Sequence, residues 1–167
     1  SSFLVGFNWK CAMGSYNYLR RLRNRCVQIC LGDQMVKVGI NGFGRIGRLI
    51  LRAILENYKN KINVVAINDL GSIETNAHLI KYDSTHGIIN EEIQTSNDGF
   101  KIGNQDIKVF AERDPVNIPW GKVGADVILE CTGIFLDKLS AEKHIKGGAK
   151  KVIISAPGKE VDFTIVQ

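Results

Sequence analysis

Hydrophobic residues alternate with polar or small ones just before a run of glycines, and recur at helical spacing after it. Val36, Val38 and Ile40 occupy alternate positions, as in a β-strand. Apolar residues then recur every three or four positions over 46–54, which is typical of an amphipathic helix. An almost unbroken apolar run at 62–67 predicts a buried parallel strand. The pattern therefore predicts a strand, a turn, a helix and a second strand in succession.

The same alternation of strands and helices continues along the chain. Helices are predicted at 72–82 and 138–146, and strands at 93–95, 100–102, 107–111, 126–130 and 151–155. The first two of these strands flank Asn97-Asp-Gly, which suits a hairpin turn. This order predicts an α/β fold with a doubly wound, mostly parallel sheet and a ligand across the carboxyl ends of its strands. The apolar stretch at 163–167 resembles a strand without a stop signal, so residues 35–167 are expected to be an incomplete domain.

Three glycines between the first strand and its helix fit a dinucleotide-binding fingerprint. In that fingerprint Gly42 would make the tight turn, Gly44 would let the backbone approach a pyrophosphate, and Gly47 would let helix and strand pack closely. The helix N-terminus would then offer N–H groups to the phosphates. The alternative is a purely structural glycine turn, but the strand before the turn and the helix after it favour a nucleotide site.

An acidic residue ends the second predicted strand. Asp69 follows Gly47 by 22 residues, close to where a carboxylate meets the adenosine ribose hydroxyls in such sites. A carboxylate there repels a ribose 2′-phosphate, so the cofactor is predicted to be NAD rather than NADP. The alternative is that Asp69 only caps the helix that starts near Ser72.

Composition and charge narrow the class of protein. The chain has 167 residues, 44% of them hydrophobic, and 3 prolines, which suits one globular domain with a sizeable core. The net charge of +5 is concentrated at the start, because residues 1–35 carry five basic groups and one acid. The remainder is nearly neutral, so the charge distribution does not support a nucleic-acid partner. The longest apolar runs are too short to span a membrane.

Residues 1–34 differ in character from the rest of the chain and are predicted to be an appended extension outside the fold. They are basic, have no clear strand and helix pattern, and contain Cys11, Cys26 and Cys30. Two interpretations stay open: an organellar transit segment, or sequence upstream of a true start at Met35. The spacing of Cys26 and Cys30 lacks a second pair of ligands, so no metal site is predicted.

Six ordered blocks of residues resemble the glyceraldehyde-3-phosphate dehydrogenase family. They are Ile-Asn-Gly-Phe-Gly-Arg-Ile-Gly-Arg (40–48), Ile-Asn-Asp-Leu (67–70), Lys-Tyr-Asp-Ser-Thr-His-Gly (81–87), Glu-Arg-Asp-Pro (112–115), Glu-Cys-Thr-Gly-Ile-Phe (130–135) and Lys-Lys-Val-Ile-Ile-Ser-Ala-Pro (150–157). The resemblance covers 36–167 and implies a Rossmann-type domain. Erythrose-4-phosphate dehydrogenase is a sister family, but it is associated with Asn-Glu where this chain has Asn68-Asp69.

The resemblance implies a set of cofactor-binding residues. Arg45 and Ile46 would contact the pyrophosphate, Asp69 the ribose and Arg113 the adenine. The full set expected to bind NAD is Asn41, Gly42, Gly44, Arg45, Ile46, Gly47, Asn68, Asp69, Glu112, Arg113, Thr132, Gly133, Phe135, Ser155 and Ala156.

The resemblance also implies an activity for the complete enzyme, a cytoplasmic homotetramer of glycolysis. Glyceraldehyde 3-phosphate would be oxidised through a cysteine thiohemiacetal, with hydride transfer to NAD and phosphate attack on the thioester. The family's nucleophile lies in a Ser-Cys-Thr-Thr-Asn segment beyond Gln167, and its histidine base comes later. Cys131 matches a structural position, and His78, His86 and His144 are not expected to be catalytic. No catalytic residue is therefore assigned, and the chain alone is expected to be inactive. A free-standing nucleotide-binding module is the alternative.

Overall fold

The strands and helices of the chain were located in a computed structural model, which describes Leu4–Phe7 and residues 35–165. The strands are β1 (Leu4–Phe7), β2 (Val36–Asn41), β3 (Ile62–Asn68), β4 (Tyr82–Asp83), β5 (Gly87–Ile88), β6 (Ile93–Thr95), β7 (Gly99–Ile102), β8 (Gln105–Phe110), β9 (Val127–Glu130), β10 (Lys151–Ile154) and β11 (Phe163–Ile165). The α-helices are α1 (Arg45–Asn57), α2 (Ile73–Lys81) and α3 (Lys138–Lys146), and a 3₁₀ turn spans Pro115–Asn117.

One sheet of nine strands, in the order β11-β1-β10-β9-β2-β3-β8-β7-β6, organises the described residues. The strands from β11 to β8 pair in parallel, while β6, β7 and β8 form an antiparallel meander at the other edge. The chain moves from β2 outwards through β3, then crosses back to place β9 and β10 on the other side of β2. This is a doubly wound Rossmann-type sheet, so the predicted fold class is confirmed.

Apolar side chains bury both faces of the sheet. On one face the strands pack with Leu51 and Ile54 of α1 and Ile80 of α2. On the other face they pack with Ala141 of α3 and with Trp120, which precedes β9. Because both faces are covered, the neighbouring parallel strands β3 and β9 consist of nearly continuous apolar residues, as the sequence at 62–67 indicated.

Buried Arg52 joins the first two helices through backbone carbonyls. Its side chain donates to the carbonyl oxygen of Ile80 through Nε at 3.1 Å and Nη2 at 2.6 Å. Nη2 also donates to the carbonyls of Lys81 and Gly87, each at 3.0 Å. Arg52 therefore fixes the end of α2 and the short β4-β5 hairpin, which the hydrophobic pattern did not predict. In the described part of the chain, no helix is long and apolar enough to cross a membrane.

The structure describes four residues of the segment 1–34. β1 lies between β10 and β11 and pairs in parallel with both, aligning Val5 with Ile153 and with Phe163. These four residues form a strand in the sheet, because their extended backbone pairs with β10 on one side and with β11 on the other. The division of the chain into an extension of residues 1–34 and a domain of residues 35–167 stays a prediction. The predicted role of the remaining residues of 1–34, including the three cysteines, lies outside the described residues.

Candidate cofactor site

The carboxyl ends of the seven neighbouring parallel strands, from β11 to β8, lie along one edge of the sheet. The chain direction across the sheet reverses between β2 and β9, and such a reversal opens a crevice in which α/β proteins bind ligands. The glycine turn follows β2 on one side of this crevice, and Thr132 and Gly133 follow β9 on the other. The structure therefore brings the predicted site residues to a single edge, although their contact with a cofactor stays a prediction.

The glycine turn is built so that larger side chains would not fit at two of its positions. Gly42 has φ +89°, which favours glycine, and an added Cβ would lie 2.8 Å from the backbone nitrogen of Thr132. An added Cβ at Gly47 would collide with the carbonyl oxygen of Gly42. At Gly44 an added Cβ would meet no atom within 4 Å. The first and third glycines thus serve packing within the protein, while the second faces open space suited to a ligand.

The N-terminus of α1 points its backbone donors toward this space. Gly44 is the N-cap residue and makes no side-chain capping hydrogen bond, and the first turn contains no acidic residue. The unsatisfied N–H groups and the positive end of the helix dipole therefore favour an anion there. By contrast, α2 is capped by Ser72, whose side chain accepts from the N–H of Thr75 at 3.2 Å.

Asp69 is held between the glycine turn and its own loop. Its Oδ2 accepts the N–H of Phe43 at 3.0 Å, and its Oδ1 accepts the N–H of Gly71 at 2.9 Å. Because Ser72 caps α2, the alternative role of Asp69 as a helix cap is wrong. An ionised carboxylate offers about four acceptor sites, so both oxygens retain capacity for ribose hydroxyls.

Two asparagines at the ends of β2 and β3 connect the turn with the loop after β8. Nδ2 of Asn68 donates to Oδ1 of Asn41 at 2.8 Å and to the carbonyl of Glu112 at 2.9 Å. The N–H of Glu112 in turn donates to Oδ1 of Asn68 at 2.8 Å. Asn41 and Asn68 are both buried. Their side chains therefore order the floor of the crevice, while the side chain of Glu112 belongs to an exposed residue.

Glu130, at the end of β9, is fully buried and receives several hydrogen bonds. Its Oε2 accepts Nδ2 of Asn41 at 2.6 Å and lies 2.8 Å from Nε2 of His144. Its Oε1 accepts the N–H of Thr132 at 2.8 Å and also the hydroxyl of Thr132. Glu130 thereby links the two loops that flank the crevice.

The remaining predicted residues lie at the same edge with fewer contacts. Arg45 donates through Nη2 to Oγ1 of Thr85 at 3.3 Å, and Arg113 is exposed. Phe135 is half-buried and makes an edge contact with His144 at a ring distance of 6.4 Å. Ser155 donates its N–H to the carbonyl of Glu130 at 2.9 Å. Gly133, with φ +72°, has open space around it, Ile46 and Ala156 are half-buried, and Gly47 is buried.

Cys131 lies between Glu130 and Thr132 but is not arranged as a nucleophile. Burial, with a smaller contribution from the nearby Glu130, raises the pKa of its thiol to about 12 against the opposing effect of a hydrogen bond with Ser155, so the reactive thiolate is disfavoured. In residues 35–165, no group of three or more His, Cys, Asp or Glu side chains could hold a metal ion.

The sequence blocks and this geometry together match a known domain. Residues 36–138 match the family model of the glyceraldehyde 3-phosphate dehydrogenase NAD binding domain. The chain belongs to this family. NAD is therefore the cofactor for which the domain is built, and the predicted cofactor is confirmed.

Similar dehydrogenases occur in several bacteria. The plasmid glyceraldehyde-3-phosphate dehydrogenase of Cupriavidus necator is 54% identical over 133 residues, which are 78% of this chain and 40% of that protein. The Streptomyces coelicolor enzyme is 53% identical over 131 residues, covering 78% of this chain and 39% of that protein. The Geobacillus stearothermophilus enzyme is also 53% identical over 131 residues, covering 78% and 38%. The chain thus spans about two fifths of the length of these dehydrogenases.

Sequence reasoning missed the two residues at the centre of the buried network, Glu130 and His144. The hydrophobic pattern marks Glu130 only as the end of a strand and His144 only as a helix residue. A signal was present for Glu130, because a carboxylate directly after three apolar residues of a buried strand needs partners to offset its burial. Its partners are set by the packing of strands and helix and could not be identified from spacing.

Proposed function

We propose that this chain is the NAD-binding portion of a phosphorylating glyceraldehyde-3-phosphate dehydrogenase. The observation that carries the proposal is the position of Asp69, which holds the glycine turn through Phe43 while its oxygens keep free acceptor sites. The uncapped N-terminus of α1 and the open space at Gly44 lie in the same turn. These features suit the ribose hydroxyls and the pyrophosphate of a dinucleotide.

Different residues of this chain would bind different parts of the cofactor. The backbone of Gly44, Arg45 and Ile46 would hold the pyrophosphate at the positive end of α1. Asp69 would accept the adenosine ribose hydroxyls, and Arg113 would lie beside the adenine. The loops containing Thr132 and Ser155 would face the nicotinamide half. When bound, NAD supplies the hydride acceptor, and this chain's residues bind and orient it.

The activity proposed for the complete enzyme needs catalytic groups, and no residue of this chain is assigned to these roles. Oxidation of glyceraldehyde 3-phosphate requires a thiolate nucleophile, a base and cationic sites for two phosphates. The raised pKa of Cys131, about 12, argues against its use as that nucleophile at neutral pH. We therefore propose that this chain alone binds NAD without catalysing the reaction.

Several finer properties belong to the same proposal. The complete enzyme would act in glycolysis as a cytoplasmic homotetramer, as the family resemblance implies. An organellar location would follow only if residues 1–34 act as a transit segment. A related activity on erythrose 4-phosphate is the second candidate, and Asp69 in place of glutamate weighs against it. A stand-alone nucleotide-binding module is the third.

Calorimetric titration with NAD and NADP tests the cofactor assignment. We expect saturable binding of NAD to the 167-residue chain and weaker binding of NADP, because Asp69 repels a 2′-phosphate. A parallel assay with glyceraldehyde 3-phosphate, phosphate and NAD should produce no NADH. NAD binding no stronger than that of an Asp69→Ala variant would contradict the assignment, and turnover would contradict the proposed inactivity. The same assay with erythrose 4-phosphate on the complete enzyme separates the two dehydrogenase activities.

A further inference from the structure

A chain of buried polar side chains runs beneath the proposed cofactor crevice. It passes from the backbone of Glu112 through Asn68 and Asn41 to Glu130, and from there through His144 to Trp120. Asn41, Asn68, Glu130, His144 and Trp120 are all buried, and the last three have no solvent exposure. Because the orientation of amide and imidazole groups depends on their partners, the groups at the two ends of this hydrogen-bond chain determine which way the amides and the imidazole between them are oriented.

At one end of this hydrogen-bond chain, the backbone of Glu112 determines which groups donate and which accept. The N–H of Glu112 can only donate, so it requires the oxygen of the Asn68 amide, and the carbonyl of Glu112 requires the amide nitrogen. Nδ2 of Asn68 then donates to Oδ1 of Asn41 at 2.8 Å. Asn41 must consequently turn its own Nδ2 toward Glu130, to which it donates at 2.6 Å.

At the other end, the indole of Trp120 determines which groups donate and which accept. Trp120 can only donate, and its Nε1 donates to Nδ1 of His144 at 3.0 Å. Nδ1 is therefore unprotonated, so the proton of the neutral imidazole is on Nε2. That nitrogen lies 2.8 Å from Oε2 of Glu130 and donates to it.

Both ends therefore present donors to the same carboxyl group. Oε2 of Glu130 accepts from Asn41 and His144, and Oε1 accepts from the N–H and hydroxyl of Thr132. Four accepted hydrogen bonds are the full acceptor capacity of a carboxyl group's two oxygens, and hydrogen bonds of this kind offset the cost of burying a polar group.

We infer that Glu130 is a positioning residue for the cofactor, held in place by this directional hydrogen-bond chain, and that His144 positions it in turn. Glu130 touches both sides of the crevice, because Asn41 precedes the glycine turn and Thr132 begins the loop after β9. It fixes the spacing between the two loops before the cofactor arrives, which reduces the ordering cost of binding. This inference rests on the proposed function, since its purpose is NAD binding.

Glu130→Gln is the first test, because the amide has nearly the same shape as the carboxylate. On one side its nitrogen would face the N–H of Thr132, and on the other side it would face Nδ2 of Asn41 and the Nε2–H of His144, so in either orientation it meets at least one group that only donates. We expect the Kd for NAD to rise about tenfold, as for loss of hydrogen bonds to a charged group. The matched control is Gln105→Leu, since Gln105 is another buried side chain, bonded to Val64 and Ile62 at the amino-end edge of the sheet. This control should lower the melting temperature and leave the Kd for NAD within about twofold.

Nuclear magnetic resonance tests the protonation pattern in the unaltered chain without any cofactor. The ¹⁵N shifts of His144, assigned by comparison with His144→Phe, should show a neutral ring protonated on Nε2. The Trp120 indole N–H should shift upfield in His144→Phe, because it loses its acceptor. His144→Phe also serves as a second binding variant if Glu130→Gln does not fold, and it should weaken NAD binding about fivefold.

The outcomes separate this inference from the proposed function. No NAD binding by the unaltered chain would overturn both. Normal NAD binding by the unaltered chain, with equal affinity in folded Glu130→Gln or His144→Phe, would overturn the positioning role alone. A proton on Nδ1 of His144 would contradict the inferred direction of the hydrogen bonds from Trp120 through His144 to Glu130.

Discussion

The backbone N–H of Phe43 donates to Oδ2 of Asp69 over 3.0 Å, so the glycine turn after β2 and the acid after β3 form one structural unit. The same carboxylate that would select the ribose therefore also holds the turn that would receive the pyrophosphate. Asp69 is only half-buried, which leaves its oxygens accessible to a ligand. Changes at this residue should consequently affect both cofactor selectivity and the order of the turn.

Replacement of Asp69 by alanine should relax discrimination between the two nicotinamide dinucleotides. Removing the carboxylate abolishes repulsion of the 2′-phosphate and also frees the N–H of Phe43, so NAD binding should weaken while NADP binding improves relative to it. We expect the ratio of the two affinities to shift by about tenfold, which is roughly 1.4 kcal/mol. Calorimetric titrations of both cofactors provide the measurement, with Ser72→Ala as a control that alters only the cap of α2. An unchanged affinity ratio would rule out the ribose role.

Replacement by alanine should affect stability at one glycine of the turn and NAD binding at another. In Gly47→Ala the new methyl group collides with the carbonyl oxygen of Gly42, so the free energy of unfolding should fall by about 1–3 kcal/mol. Gly44→Ala meets no atom within 4 Å, and its unfolding free energy should change by less than about 1 kcal/mol. The methyl group at Gly44 would instead occupy the space proposed for the pyrophosphate, and the Kd for NAD should rise about tenfold. Denaturant unfolding and NAD titration of both variants test this pair. Unaltered NAD affinity in Gly44→Ala would show that the open space serves no phosphate.

The Cys131 thiol should be unreactive in the folded chain. Burial raises its pKa from 9.0 to about 12, so at pH 8 alkylation should be on the order of 100- to 1000-fold slower than in the unfolded chain. Because the folded pKa lies above the unfolded one, this thiol stabilises the fold below pH 9 and the contribution is lost as pH rises toward 12. Iodoacetamide labelling followed by peptide mass spectrometry resolves Cys131 from the other cysteines. Equal labelling rates with and without denaturant would contradict the raised pKa.

Asp83 should contribute to acid unfolding. The N–H of His86, followed by that of Thr85 and the His86 ring, lowers the pKa of this carboxyl from 3.8 to about 2. A depressed pKa stabilises the fold above the unfolded value, and the contribution disappears as pH falls from about 4 to about 2. Asp83→Asn should therefore lose less stability than the unaltered chain across that interval. Far-ultraviolet circular dichroism during acid titration measures the difference, with exposed Asp106→Asn as a control. Parallel loss of stability in Asp83→Asn and the unaltered chain would contradict this assignment.

The local sequence pattern was sufficient to predict most of the strands and helices. The alternation of Val36, Val38 and Ile40 and the helical spacing over 46–54 identified β2 and α1, and the glycine spacing identified the turn between them. These features are readable because side-chain period and glycine conformation depend on the backbone of neighbouring residues. The short β4-β5 hairpin was missed because two-residue strands carry no periodicity. Only the observed hydrogen bonds established that Ser72, and not Asp69, caps α2.

The α/β fold class, the family and NAD as cofactor are all readable from the linear chain, since each depends on local spacing or on ordered blocks of residues. Three-dimensional packing was needed to establish that Glu130 joins Asn41, 89 positions earlier in the chain, to His144. It was also needed to establish that Leu4–Phe7 enters the sheet between β10 and β11. The physical reason is that hydrogen bonds between distant residues depend on which strands lie side by side and which helix covers them, and neither is encoded in the period of a single segment.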